Sequence, residues 1–357
     1  MSCARVEPHN RRTGKRCLLA TRVSQAFSCR REKVLAKAAG IWYAVYVVAR
    51  MASGKDTDGR RYRSLGAMWS ARVGGEEGEA QWYASSKEYW SRQEQSINGM
   101  LGGLGELHDT DVAGSLQFIR DVCALETADV RVRAVRTELL SRLSRRENAE
   151  IEPTTARSPR SHESTCAALH GEQRQLIALD VGSGIGRVTR GLLMQVFDLV
   201  DMLESNPESL AHARELCKRE GKLKQLGEQM CAGMEQLGVT HEAQPGPAKY
   251  DAIWIQWCVI YLTDAHFVRF LQQCARSLKP GGAIWIKDNV VLRGGFVVDN
   301  SDSSITRTEA QMQRIFQQAR LQVVLQRQQR DFPESIFPVM MYCLLPVDAH
   351  EMQATAI

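Results

Sequence analysis

Leu179-Asp180-Val181-Gly182-Ser183-Gly184-Ile185-Gly186-Arg187 sits between an apolar run and an amphipathic stretch, and its reading decides the architecture of the chain. Glycines at alternate positions let a chain leaving a strand turn sharply and bring bare backbone close to a ligand. The spacing is G-x-G-x-G, and Arg187 stands where a dinucleotide fingerprint needs its last glycine. No diphosphate then has to be cradled, which points to S-adenosylmethionine rather than NAD. Glu204 ends the next apolar run, eighteen positions after Gly186, where a carboxylate can accept from both ribose hydroxyls. A glycine turn alone also suits an ordinary βα connection; strand, glycine loop, helix, strand and terminal acid in that order are far more specific.

Outward from this loop, short apolar runs alternate with amphipathic stretches, the pattern of βαβ units on a parallel sheet. Leu176–Val181, Leu199–Leu203, Ala252–Val259 and Ala283–Lys287 read as strands. Between the last two, Phe267, Phe270, Leu271, Cys274, Ala275 and Leu278 recur at the spacing of a helix buried on one face, stopped by Pro280-Gly281-Gly282. Thr306 to Ala319 reads as a second such helix, with Thr306 and Glu309 spaced as a capping box. Two β-like runs, Leu321–Leu325 and Val339–Leu345, then form a closing antiparallel hairpin, an arrangement found in S-adenosylmethionine methyltransferases.

The rest of the chain divides less sharply. Residues 1–80 read as a basic, disordered extension, residues 81–122 as two helices around a glycine turn with aromatic residues at helical spacing, and residues 123–173 as a partly helical, largely flexible insertion. The methyltransferase domain is expected over residues 174–347, followed by a tail over 348–357. The net charge of +5 conceals an asymmetry: residues 1–50 carry eleven Lys or Arg against Glu7 and Glu32, a balance of +9, so the remainder is −4. An acidic body suits a basic substrate and argues against nucleic acid, which calls for a basic stripe on the folded part. The Arg-rich start has the composition of a transit peptide, although a disordered extension explains it as well. Ala38 to Ala49, the most apolar early stretch, is too short to cross a bilayer, so no membrane partner is expected. No two of the ten cysteines stand at C-x-x-C spacing, which leaves no expected metal site and favours a reducing cytoplasmic, or nuclear, location.

More specific residues then come into play. Asp251-Ala252-Ile253-Trp254-Ile255-Gln256-Trp257, Leu262-Thr263-Asp264, Ile286-Lys287-Asp288-Asn289 and Asp302-Ser303-Ser304 resemble the α-N-terminal protein methyltransferases, as do Tyr89-Trp90 and Gly99-Met100-Leu101-Gly102-Gly103. The resemblance covers about residues 82–122 and 176–345. It implies a Rossmann-like α/β class I S-adenosylmethionine methyltransferase with a small N-terminal helical lid and a closing β-hairpin. It also implies methylation of the free α-amino group of protein or peptide substrates beginning Xaa-Pro-Lys once the initiator Met is removed. By the same likeness Gly182, Gly184, Arg187, Glu204, Ser205, Asn206, Met234, Glu235 and Gln256 hold the cofactor, with Arg187 pairing its carboxylate. Trp257 walls the substrate proline, Asn289, Asp299 and Asp302 meet the substrate terminus, and Tyr89, Trp90 and Leu101 form the lid.

Simpler readings stand beside these. Trp254 and Trp257 on a strand would ordinarily be core, and Asp299 and Asp302 in a Gly- and Ser-rich loop would ordinarily form turns. One residue departs from the family pattern: Tyr261 replaces the usual histidine before Leu262-Thr263-Asp264. An unperturbed tyrosine, at about 10, is a poor base at neutral pH, so proton work falls to Asp302 or to water, with Tyr261 as a hydrogen-bonding partner. Competing functions are a small-molecule or RNA methyltransferase on the same cofactor loop, and an inactive methyltransferase-fold scaffold; the intact Gly182–Arg187 loop argues against the latter.

Overall fold

The structure, a computed structural model, describes residues 53–151, 174–237 and 248–347. Expectations for residues 1–52, 152–173 and 348–357 lie outside them. The first described elements fall where a disordered extension was expected: strands β1 (Gly54–Asp56) and β2 (Arg61–Tyr62) and helix α1 (Leu65–Arg72). Tyr62 and Met68 are buried in the core, and Ser64 caps α1 by accepting from the Ala67 amide. A two- or three-residue strand of mixed polarity carries too little periodicity to be legible in sequence.

The lid follows as α2 (Glu76–Ser91), α3 (Ile97–Met100) and α4 (His108–Cys123). Helix α5 (Val130–Ile151) is the helical part of the partly helical insertion expected over residues 123–173. It is polar on average, but Val132, Val135, Leu139 and Leu143 form a buried stripe at intervals of three and four residues.

Among the described residues the main sheet has seven strands: β3 (Ile177–Val181), β4 (Leu199–Glu204), β5 (Leu226–Cys231), β6 (Tyr250–Gln256), β7 (Leu278–Asn289), β10 (Leu321–Gln328) and β11 (Val339–Pro346). Their order is β10-β11-β7-β6-β3-β4-β5, parallel except for the antiparallel β10–β11 and β11–β7 pairs. This is the expected Rossmann-like class I arrangement with its closing hairpin. Alternation assigns the two faces. Ala178, Ala252, Trp254, Ala283, Trp285 and Cys343 pack with α4 and α5, whereas Leu179, Ile253, Ile255, Ile284, Ile286 and Leu344 face the opposite layer. Helices α6 (Arg187–Gly191) and α7 (Pro207–Arg219) follow β3 and β4, and that opposite layer is built from α8 (Asp264–Ser277) and α9 (Glu309–Gln318), through Phe267, Phe270, Leu271, Met312 and Phe316. Trp254, expected as core, is buried and stacks on Trp285 on the face covered by α4 and α5.

Helix α9 begins later than its sequence suggested. Thr308, not Thr306, is its N-cap, and Gln311 rather than Glu309 completes the capping box. Thr306 is spent at the end of β9 (Ser304–Thr306), which pairs with β8 (Phe296–Asp299). With β1 and β2 these form a second sheet, ordered β2-β1-β8-β9.

Candidate active site

The strand order reverses between β3 and β6, and open α/β sheets place their ligands in the crevice outside the carboxyl ends of such strands. A cleft lies there, enclosing about 1130 Å³ of empty space with its open mouth included. Gly182, Gly184, Arg187, Glu204, Ser205, Asn206, Met234, Glu235 and Gln256 all line it, as do Trp90, Trp257 and Tyr261. Tyr89, Leu101, Asn289, Asp299 and Asp302 do not.

The glycine loop follows β3 with φ +63° at Gly182, +51° at Gly184 and +72° at Gly186, values that L side chains rarely adopt. A Cβ on Gly182 would stand 2.7 Å from Cys258 Cβ, so the loop also needs glycine for close approach. Glu204 ties the next strand to it: Oε2 accepts from the Gly184 amide at 2.9 Å, and Oε1 from the Asn206 amide at 2.9 Å. Two polar atoms of this rim, Ser183 Oγ and Asn206 Nδ2, are buried without a protein partner. Orphaned polar atoms along a bare backbone cradle fit a polar ligand such as a nucleoside.

Beneath the loop, Asp111 of α4 binds three side chains at once. It meets Arg187 Nη1 at 2.6 Å and Lys287 Nζ at 2.6 Å, and it accepts from Gln256 Nε2 at 2.9 Å. Burial pushes the Asp111 carboxyl up, but Lys287 and Arg187 outweigh that and hold it below the usual range. Two buried cations thus share one anion, an excess positive charge suited to the carboxylate of adenosylmethionine. Arg187 gives Nη1 to Asp111, and its guanidinium lies 5.3 Å from the Trp257 ring centroid. Gln256 likewise spends its oxygen on Trp254 Nε1 at 3.0 Å. Asp180, also in the lining, is pushed up to about 7 by burial, against the opposing Thr189 hydrogen bond.

The aromatic wall is set by backbone strain. Trp257 follows β6 with φ +53°, rare for a bulky residue, and its amide donates to the Lys287 carbonyl at 3.0 Å. The ring stacks on Phe332, at 6.4 Å and 26°. Helix α2 closes over the other side. Trp82 Nε1 donates to the Tyr261 carbonyl at 2.8 Å, Tyr83 Oη bonds His266 Nδ1 at 2.6 Å, and Lys87 meets Glu235 at 2.7 Å. Met100 of α3 lies against Gly184, near enough that a Cβ there would stand 3.0 Å from its sulfur.

Tyr261 Oη donates to Asp302 Oδ2 at 3.0 Å, so Asp302 reaches the cleft through Tyr261. Burial pushes the Tyr261 phenol well up, and the Asp302 charge adds to it. Burial also raises Asp302, opposed by hydrogen bonds from Ser304 and Tyr261. Its second oxygen, Oδ1, is buried and unpartnered. Asp299 instead accepts from the Ser301 amide and hydroxyl at 2.8 and 2.7 Å, the turn-forming role. Asn289 ends β7, half-buried, and Tyr89 packs edge-on against Trp90.

The chain matches the family model of AdoMet-dependent proline di-methyltransferases over residues 78–139 and 162–345. It belongs to that family. Among its relatives, alpha N-terminal protein methyltransferase 1 of Arabidopsis thaliana is 32% identical over 294 residues, covering 82% of this chain and 90% of the relative. N-terminal Xaa-Pro-Lys N-methyltransferase 1-B of Xenopus laevis is 33% identical over 268 residues, or 75% and 97% of the two chains. The solved structure of a SAM-dependent methyltransferase from Leishmania major superposes with a TM-score of 0.61 at 33% identity, covering 82% of this chain and 96% of that one. The cofactor of this methyltransferase is accordingly S-adenosylmethionine.

Sequence reasoning missed Asp111, Tyr83, Lys87, Met100, Ser183 and Cys258, of which all but Asp111 line the cleft. Ser183 was legible as part of the glycine loop. Asp111, in the first turn of α4, carried no signal separating it from a solvent-facing N-terminal acid.

Proposed function

We propose that this methyltransferase acts on the free α-amino group of protein N-termini, with Xaa-Pro-Lys as the substrate class. The reading is carried by Asp302 Oδ1, a buried acceptor without a partner on a residue fixed to the cleft by Tyr261, and the names of its relatives support it. An amine N–H is the partner that such an oxygen lacks.

When bound, S-adenosylmethionine supplies an electrophilic methyl on a sulfonium. The chain must present a neutral amine to it. An α-amino group titrates at about 7.7–8.0 and a lysine side chain near 10.4, so an N-terminus sheds its proton to a carboxylate far more readily. Asp302 accepts that proton, or orients the neutral amine, through Oδ1. Tyr261 stays protonated at neutral pH and holds Oδ2. Trp90 and Trp257 wall the substrate proline, Asp299 meets the lysine, Asn289 orients the amine from the end of β7, and Tyr89 and Leu101 complete the lid. Glu204, Ser205, Asn206, Met234 and Glu235 hold the cofactor with the glycine loop, and Asp111 keeps Arg187 and Gln256 in place. Buried free thiols such as Cys258 and Cys343 support a reducing location, cytoplasmic or nuclear.

The test is methyl incorporation from labelled adenosylmethionine into a peptide beginning Xaa-Pro-Lys, beside a copy acetylated at its N-terminus. Label is expected in the free peptide alone. Equal labelling of both would place the reaction on the lysine side chain.

A further inference from the structure

The loop bearing Asp302 does not stand alone. Strand β1 pairs in parallel with β8, Gly54 opposite Phe296, Lys55 opposite Val297 and Asp56 opposite Val298. The pairing is close: a Cβ on Gly54 would lie 2.4 Å from the Phe296 ring, and one on Gly295 would lie 1.8 Å from the Ser53 carbonyl oxygen. Past the strand ends the contact continues onto the loop. Thr57 donates its amide to the Val298 carbonyl at 2.9 Å and accepts the Asn300 amide on Oγ1 at 3.1 Å, while Asp58 Oδ2 accepts from Asn300 Nδ2 at 2.6 Å. Asn300 is therefore held at both backbone and side chain by residues that precede the family match at residue 78. Two residues on, Asp302 meets Tyr261, and Ser303 adopts φ +56°. A backbone turn of that kind persists only where its surroundings determine it.

We propose that the β1–β2 ribbon positions the amine-binding loop: the clasp of Thr57 and Asp58 on Asn300 fixes residues 299–303 so that Asp302 faces the substrate through its contact with Tyr261. Asp58 and Asn300 are positioning residues in this scheme. Asp58 serves as a hydrogen-bond acceptor, so its charge is not what the loop needs. The inference rests on the assignment of Asp302 to the amine site made above.

The experiment compares Asp58→Ala, Asp58→Asn, Asn300→Ala and the double alanine variant in the full chain, each with an Xaa-Pro-Lys peptide. Asp58→Ala and Asn300→Ala are expected to lower kcat/KM for peptide about threefold to tenfold, the loss of one hydrogen bond, with adenosylmethionine affinity and Tm unchanged. The double variant should be no worse than either single one, since both remove the same contact. Asp58→Asn keeps an acceptor oxygen and should retain wild-type kcat/KM. Wild-type kinetics in both alanine variants would overturn the proposal. So would an Asp58→Asn defect as large as that of Asp58→Ala, which would make Asp58 a charge read by the substrate. Amide exchange in residues 299–303 supplies a readout without substrate. Faster exchange in Asp58→Ala supports the clasp even if the wild-type protein leaves the peptide unmethylated, an outcome that sinks the substrate assignment alone. Unchanged exchange overturns the clasp.

Discussion

Asp302 and Tyr261 form a pair in which each residue limits what the other can do. Tyrosine is pushed up by burial and donates to Asp302, so it has no capacity to take a proton at neutral pH. Asp302 is raised by burial, and its Oδ1 is buried without a hydrogen-bond partner, which makes it the proposed acceptor. Asp302→Asn keeps the shape and removes the base, so kcat/KM should fall by roughly 10²- to 10⁴-fold. Tyr261→Phe deletes one hydrogen bond and should cost about 1 kcal/mol, close to fivefold. The pH profile distinguishes the two. Because the Asp302 carboxyl titrates above its ordinary value, the wild-type rate should fall as pH drops through that raised value, and this limb should vanish in Asp302→Asn. A Tyr261→Phe defect equal to that of Asp302→Asn would give the proton to tyrosine and refute the assignment.

Between elements, Asp111 joins the lid to the cofactor loop. It stands on α4, its partners stand on the helix after β3 and on β6 and β7, and all four side chains are buried. Removing one partner of a buried charged cluster leaves the others uncompensated, typically at a cost of about 3–5 kcal/mol. Asp111→Asn should therefore lower the denaturant midpoint strongly. Part of the loss should be recovered by saturating S-adenosylhomocysteine, whose carboxylate supplies the missing anion and stabilises by mass action. A variant as stable as wild type would show that the cluster carries no net charge requirement.

This same level explains what was legible in sequence. The strands β3, β4, β6 and β7, helix α8 and the closing hairpin announce themselves through long apolar periods and a glycine stop. The ribbon β1–β2, the β8–β9 pair and the true cap of α9 depend on which distant strand is adjacent. Thr306 has the right spacing for a cap and is taken by β9 instead. The nine residues given to the cofactor all line one cleft; the glycine loop and Glu204 stand out in the sequence pattern itself, whereas Ser205, Asn206, Met234, Glu235 and Gln256 rest on the family resemblance alone. The lid contacts from Tyr83, Lys87 and Met100 were not legible, because their position depends on how α2 and α3 fold back over the sheet.

At the scale of the molecule, the question is where the catalytic unit begins. The basic excess lies in residues 1–50, while every residue assigned to the cleft or the amine site lies at or beyond Tyr83. Composition alone would put the boundary near residue 80. Packing puts it near Ser53. Tyr62 and Met68 are buried in the same core cluster as Ile253 and Phe267, and Trp69 of α1 packs edge-on to Trp82, whose indole holds the Tyr261 carbonyl. Burying Met68 completely contributes on the order of 1.5–3 kcal/mol, and a cut before α2 forfeits that together with the ladder to β8. A protein starting at Ser53 should keep kcat/KM for an Xaa-Pro-Lys peptide within about twofold of the full chain, since the acidic remainder holds the whole site. One starting at Glu76 should lose stability and most of its activity while still containing all of the family match. Comparing Tm and peptide kinetics for the two truncations decides the matter: equal behaviour would return the boundary to residue 80 and make the β1–β2 ribbon an ornament of the fold.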